Sequence, residues 1–140
     1  LREGARHTKK GKGSIQSNLS ATLQIVTDRI LIDRYFPGFP NGHAFDVKTA
    51  IPPSTDLDEP VYLDIRGVRN PSTKARNVRY RIAASPGWIT TFCIEWDKTI
   101  VSRGEMEAVC IDSGKFVGVG NGRSIGVGRF EVTSFDVTDA

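Results

Sequence analysis

The chain has 140 residues, 39% of them hydrophobic, and a formal net charge of +3, which suffices for one domain with its own core. Its apolar runs are all shorter than the roughly 20 residues of a membrane-spanning helix, so we expect no membrane partner. The two cysteines, Cys93 and Cys110, fall in different predicted elements and do not indicate a disulfide framework. We therefore expect free thiols, packed as small apolar groups, and a reducing, cytoplasmic location.

Basic residues are concentrated in two segments. Residues 1–13 contain five basic side chains against one acid, and residues 66–81 contain six basic side chains and no acid. Such clustering is typical of a surface that binds a polyanion, although a solvated tail and a solvated strand face would give the same pattern. The candidate contacts are Lys9, Lys10 and Lys12 in the first segment and Arg66, Arg69, Lys74, Arg76, Arg79 and Arg81 in the second.

The N-terminal third is predicted to contain an arm and the first strands. Residues 1–18 have few apolar side chains and many Gly, Lys and Ser residues, which predicts a flexible basic arm preceding a single domain over residues 19–140. Within residues 19–36, Leu23 and Ile25 alternate as in a strand. Ile30 and Ile32 fit a second strand or a short helix, and the frequent β-branched residues favour strands.

Residues 37–60 contain five prolines and two glycines, which predicts a long irregular loop. Residues 35–53 overlap this loop and are rich in aromatic residues and prolines. They are a candidate hook, a segment that would bind a protein partner. His43 lies in this loop, but one histidine without a partner gives little support for acid–base catalysis. The acidic residues Asp56, Asp58 and Glu59 are too few for a metal site. We predict no catalytic residue, no metal and no cofactor.

The centre of the chain predicts antiparallel strands. In "VYLDIRGV" (61–68) the apolar residues alternate, and "ARNVRYRIA" (75–83) places Val78, Tyr80 and Ile82 inward with Arg79 and Arg81 outward. The turn "SPG" (85–87) joins this strand to "WITTFCIEW" (88–96), which predicts a hairpin between the two. Trp88, Phe92 and Trp96 share one face of the second strand, either as core or as a platform for stacked bases.

A capped helix and two further strands are predicted towards the C-terminus. Ser102 and Glu105 form a capping box, Met106, Val109 and Cys110 recur at helical spacing, and Gly114 suits a C-terminal cap. "KFVGV" (115–119) and "RFEVTSFDV" (129–137) are predicted as strands. The order β-β-α-β-loop-β is half of a ferredoxin-like sheet, so the predicted fold is α+β, with a ferredoxin-like antiparallel sheet and one clear helix.

A glycine-rich loop precedes the last predicted strand. "GVGNGRSIGVGRFEV" (118–132) has five glycines between positions 118 and 128, and it matches neither the dinucleotide-binding nor the P-loop spacing. Its backbone N–H groups, flanked by Arg123 and Arg129, suit a phosphate or a nucleic-acid backbone. The alternative is that the glycines only provide bulges and turns with positive φ.

These C-terminal residues resemble the RAMP superfamily, the ferredoxin-like RNA-binding subunits of CRISPR effector complexes, and small phage-encoded proteins related to that fold. The resemblance lies in "KFVGVGNGRSIGVGRFEV" after a capped helix, in "VRYRIA" (78–83) and in "GWITTFCIEW" (87–96), and it covers about residues 74–137. It implies that the proline-rich loop replaces the first helix and that subunits stack as a homo-oligomer or filament. It also implies that the nucleic-acid backbone meets Gly118, Gly120, Gly122, Gly126 and Gly128, with Arg123 and Arg129 as phosphate partners.

The leading hypothesis is a non-catalytic protein that binds RNA or single-stranded DNA, in the host cytoplasm if a phage encodes it. Affinity would come from the arm, the basic strand and the glycine loop. The alternative from another class is a protein–protein module, either a self-assembling phage protein or an inhibitor of a host defence complex. A weaker alternative is a metal-independent endoribonuclease that uses His43.

Overall fold

Residues 1–34 and 55–139 are described by a computed structural model, and the chain divides into two units. Unit 1 is Leu1–Asp28 with Cys93–Ala140, and unit 2 is Arg29–Phe92. This division differs from the predicted one, which was an arm over residues 1–18 and a single domain over residues 19–140. The N-terminal segment belongs to the same unit as the C-terminal part of the chain. The predicted partner hook over residues 35–53 and the candidate His43 lie outside the described residues.

The secondary structure is α+β, with short antiparallel sheets and one main helix, which confirms the predicted class. Three two-stranded sheets pair β1 with β2, β3 with β6 and β4 with β5 in the described part of the chain. The strands are β1 (Lys9–Lys10), β2 (Gly13–Ser14), β3 (Gln24–Ile25), β4 (Val61–Arg69), β5 (Arg76–Ala84) and β6 (Ile94–Glu95). The helices are α1 (Gln16–Thr22) and α2 (Arg103–Asp112), with 3₁₀ turns at Gly4–Arg6 and Arg123–Ile125 and a π-helical turn at Ser113–Val117.

The N-terminal segment is part of the core of unit 1, which corrects the prediction of a flexible arm over residues 1–18. Ala5, Ile15 and Leu19 are fully buried, together with Val101, Met106 and Val109. The hydroxyl of Thr8 also donates to the Asp112 carboxylate at 2.6 Å. The segment has few apolar residues, but Ala5 and Ile15 are completely removed from water and Leu1 is partly buried against the same core.

Helix α2 begins as the sequence predicts and ends differently. The Ser102 hydroxyl accepts from the Glu105 N–H at 3.3 Å, and the Glu105 carboxylate accepts from the Ser102 N–H at 2.8 Å, so the capping box is confirmed. Gly114 does not cap the helix, because α2 continues directly into the π-helical turn, which ends at Gly118 with φ 84°. The predicted strand over residues 115–119 is therefore mostly helical.

The two cysteines are free, and only one of them is packed as expected. Cys110 lies on α2 in the core of unit 1, and burial raises the pKa of its thiol to about 11. Cys93 is exposed, which corrects the expectation that it packs inside a strand.

The predicted final strand over residues 129–137 forms no strand ladder with the described residues. Phe130 N–H donates to the Gly114 carbonyl at 3.4 Å, and Phe135 packs against Trp96 with ring centroids 6.1 Å apart. The alternation in this segment corresponds to partly buried residues at intervals within unit 1, and no described strand pairs along its length.

The hairpin of unit 2 joins β4 to β5, which corrects the predicted pairing of β5 with residues 88–96. Val61 pairs with Ala84 and Arg69 with Arg76, and the register is continuous between them. In the connecting turn, the Asn70 side chain accepts from the Ser72 N–H at 2.9 Å. Residues 88–96 are instead divided between the two units, where Thr90 bridges Ile32 in unit 2 and β6 pairs with β3 in unit 1.

Aromatic residues of the 88–96 segment do not share one strand face. Trp96 packs on the core of unit 1, and its indole N–H donates to the Val101 carbonyl at 2.8 Å. Trp96 is therefore a core residue and not a platform for bases. Trp88 and Phe92 belong to unit 2.

Ile15 provides a test of whether the N-terminal segment, residues 1–18, is folded. We expect Ile15→Ala to lower the free energy of unfolding by about 2–5 kcal/mol, because it leaves a cavity in the core of unit 1. The nearby Ser20 is exposed, and Ser20→Ala should change stability by less than about 0.5 kcal/mol. Chemical denaturation of both variants measures this, and equal stability of the two would mean that residues 1–18 do form an arm.

Candidate nucleic-acid interface

The glycine loop closes on itself at its base. Val119 N–H donates to the Gly128 carbonyl at 2.8 Å, so the two ends of the loop run side by side. A Cβ atom at Gly118 would lie 2.6 Å from the Gly128 carbonyl oxygen, and one at Gly128 would overlap the Val119 carbonyl oxygen. Glycine is required here because backbone meets backbone with no room for a side chain.

The tip of the loop is a 3₁₀ turn with its own hydrogen bonds. Ile125 and Val127 N–H groups donate to the Gly122 carbonyl at 3.0 and 3.3 Å, and Gly126 N–H donates to the Arg123 carbonyl at 3.0 Å. All five glycines of the loop have φ between 75° and 93°. The prediction that glycines supply positive-φ turns is thus confirmed, and it does not exclude a role in binding.

Five consecutive backbone N–H groups of the loop, those of residues 120–124, have no hydrogen-bond acceptor among the described residues. The side of the loop that carries them is also accessible, since Gly120, Asn121, Arg123 and Ser124 are exposed. Backbone N–H groups are strong donors that need a partner, and successive free ones form a concave anion site. This stretch can therefore donate to phosphate oxygens.

The same five residues line an open groove of about 690 Å³ in unit 1. Its remaining lining residues are Glu3, Phe116 and Val117. Phe116 is 45% exposed, and the His7 ring packs against its ring with centroids 5.1 Å apart. The Lys115 ammonium lies 5.4 Å from the centroid of the Phe116 ring. The groove thus combines free donors, the guanidinium of Arg123 and a partly exposed aromatic residue.

The two arginines of the loop differ in their ion pairs. Arg123 pairs with Glu3, at 2.7 Å between Nη1 and Oε2, and both side chains are largely exposed. An exposed ion pair of this kind contributes only about 0–1 kcal/mol, so another anion can replace the carboxylate at little cost. Arg129 is exposed and has no ion pair with any described residue.

Of the three N-terminal lysines predicted as nucleic-acid contacts, Lys10 has polar contacts within unit 1. Its ammonium donates to the Ile100 carbonyl at 3.0 Å and pairs with the Glu105 carboxylate at 3.1 Å. The Ser102 backbone N–H and then the Lys10 ammonium hold the pKa of Glu105 below its ordinary value. Lys9 and Lys12 are exposed and form no ion pair within the described segments.

The basic residues of unit 2 are brought together on the β4–β5 hairpin, but one acid neutralises part of their charge. Asp64 pairs with Arg66 at 2.8 Å and lies 3.8 Å from Arg81. The Asp64 carboxylate raises the pKa of Arg66 through this contact. Arg79 and Arg76 are exposed without an ion pair to a described residue.

The register also determines which cations share a face of the hairpin. Arg66 lies opposite Arg79, and Arg69 lies opposite Arg76 on the other face, where Tyr80 also lies. Near the turn, Arg69 Nε donates to the Lys74 carbonyl at 3.4 Å, and Lys74 has a positive φ of 58°. The expected separation of apolar and basic residues thus holds for Arg79 and Arg81 but not for Arg69 and Arg76.

Side chains predicted to point inward on the hairpin are exposed, which corrects that prediction. Val78 is 57%, Tyr80 66% and Ile82 62% exposed. Alternation correctly groups these residues on one face, and Ile65 joins them across the register. No described residue covers this face enough to bury them, because two paired strands alone offer no second layer.

Sequence reasoning missed three residues that shape these surfaces. Glu3 and Phe116 line the groove, and Asp64 neutralises part of the hairpin. Glu3 and Arg123 are far apart in the sequence, and no local pattern links them. The sequence does contain a signal for the pairing of Asp64 with Arg66. Asp64 lies two residues before Arg66, and residues two apart in a strand lie on the same face.

The described residues contain no group of three or more His, Cys, Asp or Glu side chains that could hold a metal ion. Among the helices over residues 1–34 and 55–139, none has the length and apolar character needed to cross a bilayer. A scan against protein-family models gives no match to this chain, and searches of curated proteins and of solved structures give none either.

Proposed function

We propose that this chain binds RNA or single-stranded DNA without catalysis and that the groove of unit 1 grips the phosphate backbone. The observation that carries the proposal is the run of five free backbone N–H groups, at residues 120–124, lining a groove that also contains Arg123. Oriented donors and a guanidinium at close range are what phosphate oxygens require. The donors belong to the backbone, so they do not select a base.

Further cations strengthen the electrostatic part of the proposal. Arg129, Lys9 and Lys12 are exposed in unit 1, and Arg76 and Arg79 are exposed on the hairpin of unit 2. Phosphate contacts from such side chains release counterions, so binding should weaken as salt increases. The resemblance to RAMP subunits supports the finer part of the proposal, a ferredoxin-like arrangement and assembly along the nucleic acid. Short antiparallel sheets and one main helix are compatible with that arrangement.

The proposal assigns no bond-breaking step to the groove. His7, the one described histidine, packs against Phe116, and no carboxylate within residues 1–34 and 55–139 orients its ring. A general base needs both a nearby substrate proton and a defined tautomer. The groove is therefore proposed as a binding surface.

Titration of fluorescent single-stranded RNA and DNA tests this function at about 50 and about 200 mM salt. We expect wild-type binding to weaken with salt and the variant Arg123→Ala/Arg129→Ala to bind less tightly. Removing two phosphate contacts should also reduce the slope of log K against log salt by about 1.4. A charge-matched control, Arg29→Ala/Arg103→Ala, changes two exposed arginines that lie outside the glycine loop and its flanks, and it should keep most of the affinity.

Two glycine variants separate binding from folding in the same titration. Gly120 and Gly126 have similar φ values, 75° and 85°, and a Cβ atom at either would meet no other atom within 4 Å. Both alanine variants therefore carry similar backbone strain, but only Gly120→Ala places a methyl group in the groove. We expect Gly120→Ala to bind more weakly than Gly126→Ala. Equal losses of affinity in the two variants would mean that the glycines of the loop have only a structural role. Absence of binding by the wild-type protein would reject the proposed function.

A second candidate, a self-associating protein module, is favoured by the apolar face of the hairpin. Ile65, Val78, Tyr80 and Ile82 are exposed on this one face. Contiguous exposed apolar side chains of this kind are typical of a protein interface.

Sedimentation at increasing protein concentration tests the second candidate. We expect wild-type association to be lost in Tyr80→Lys/Ile82→Lys, because each substitution places a charge in the apolar face. Asn77→Lys is the control, since Asn77 is exposed on the opposite face. A wild-type protein that stays monomeric at all concentrations would remove this candidate.

A further inference from the structure

The groove contains one aromatic ring in a position to stack on a base. Phe116 belongs to the π-helical turn Ser113–Val117, which continues directly from α2 and therefore holds the residue on a rigid element. The His7 ring packs against it, at 5.1 Å between centroids and an interplanar angle of 36°, and the Lys115 ammonium lies 5.4 Å from its ring centroid, yet Phe116 stays 45% exposed. Exposed aromatic rings beside phosphate donors are the usual platforms for bases of single strands.

The groove is also lined by one acidic side chain of the protein, Glu3. The Glu3 carboxylate accepts from Arg123 Nη1 at 2.7 Å, and both residues line the groove beside the free N–H groups of the loop. A carboxylate oxygen and a phosphate oxygen make the same kind of contact with a guanidinium. Glu3 therefore occupies a place that a phosphate of the ligand would need.

We propose that the groove is a nucleotide subsite, in which a base of the single strand stacks on Phe116 and its phosphate displaces Glu3 from Arg123. The inference rests on the proposed nucleic-acid binding and adds the base contact and the internal competitor. The groove volume of about 690 Å³ lies within the range of small-ligand sites, about 300–1,000 Å³. Stacking accepts any base, so the subsite recognises a nucleotide without reading its sequence.

Two probes of equal length distinguish base stacking from phosphate binding. One is a fluorescent oligouridine, and the other is the same sugar-phosphate chain without bases. Phe116→Leu, which keeps an apolar side chain but removes the ring, should weaken binding of oligouridine by at least about fivefold and leave the abasic chain unchanged. Phe116→Tyr retains the ring and should restore the affinity for oligouridine. Glu3→Gln should tighten binding of both probes by up to about fivefold, because the competing charge is removed.

A fluorescence measurement gives a second readout, which reports stacking of the base and not the affinity of the strand. A strand that carries 2-aminopurine should change its fluorescence on binding as that base stacks, and it should not do so with Phe116→Leu at saturation.

The subsite would be overturned by equal losses for both probes in Phe116→Leu, by no loss at all, or by weaker binding in Glu3→Gln. The nucleic-acid function would still stand in those cases, provided that wild-type protein binds both probes and Arg123→Ala/Arg129→Ala binds them less tightly. Failure of the wild-type protein to bind either probe would overturn both.

Discussion

The close backbone contact between Gly118 and Gly128 determines the form of the site. Because the two ends of the glycine loop meet without side chains between them, the nine residues between them must fold back within a short span. They do so with a 3₁₀ turn whose acceptors are the carbonyl groups of Gly122 and Arg123. The turn leaves the N–H groups of residues 120–124 unpaired. The unusual number of glycines is thus explained by the loop approaching its own backbone, and the binding surface is a consequence of that closure.

The N-terminal segment couples this loop to the core of unit 1. Ala5, Ile15 and Leu19 pack with residues of the α2 region, and Gly4 meets Ser113 so closely that a Cβ atom would overlap the serine. The same packing brings Glu3 to Arg123 and His7 to Phe116. Stability and binding therefore share residues in unit 1, since a substitution that loosens the segment also removes one wall of the groove.

Features that depend on residues close together in the sequence could be predicted, and features that depend on distant residues could not. The capping box of α2 depends on residues three apart, so Ser102 and Glu105 could be identified from the sequence. Alternation predicted the faces of β5 but not their exposure, because burial depends on a covering layer that alternation does not reveal. The basic composition of residues 1–18 led to the prediction of an arm, although Ile15 and Leu19 stand four residues apart, a spacing that places both on one side of a helix. Glycines 118–128 were identified as turn formers or phosphate ligands, whereas Glu3 and Phe116 depend on tertiary contacts that the sequence does not display.

Amide chemical shifts of ¹⁵N-labelled protein, followed during addition of single-stranded RNA, test most directly whether the free N–H groups of the loop bind phosphate. The account predicts large shifts for the amides of residues 120–124. Val119, Ile125 and Gly126, whose N–H groups already donate to backbone carbonyls within the loop, should shift much less. Shifts confined to the β4–β5 hairpin, or spread evenly over the loop, would contradict the assignment of the groove as the site that grips the backbone.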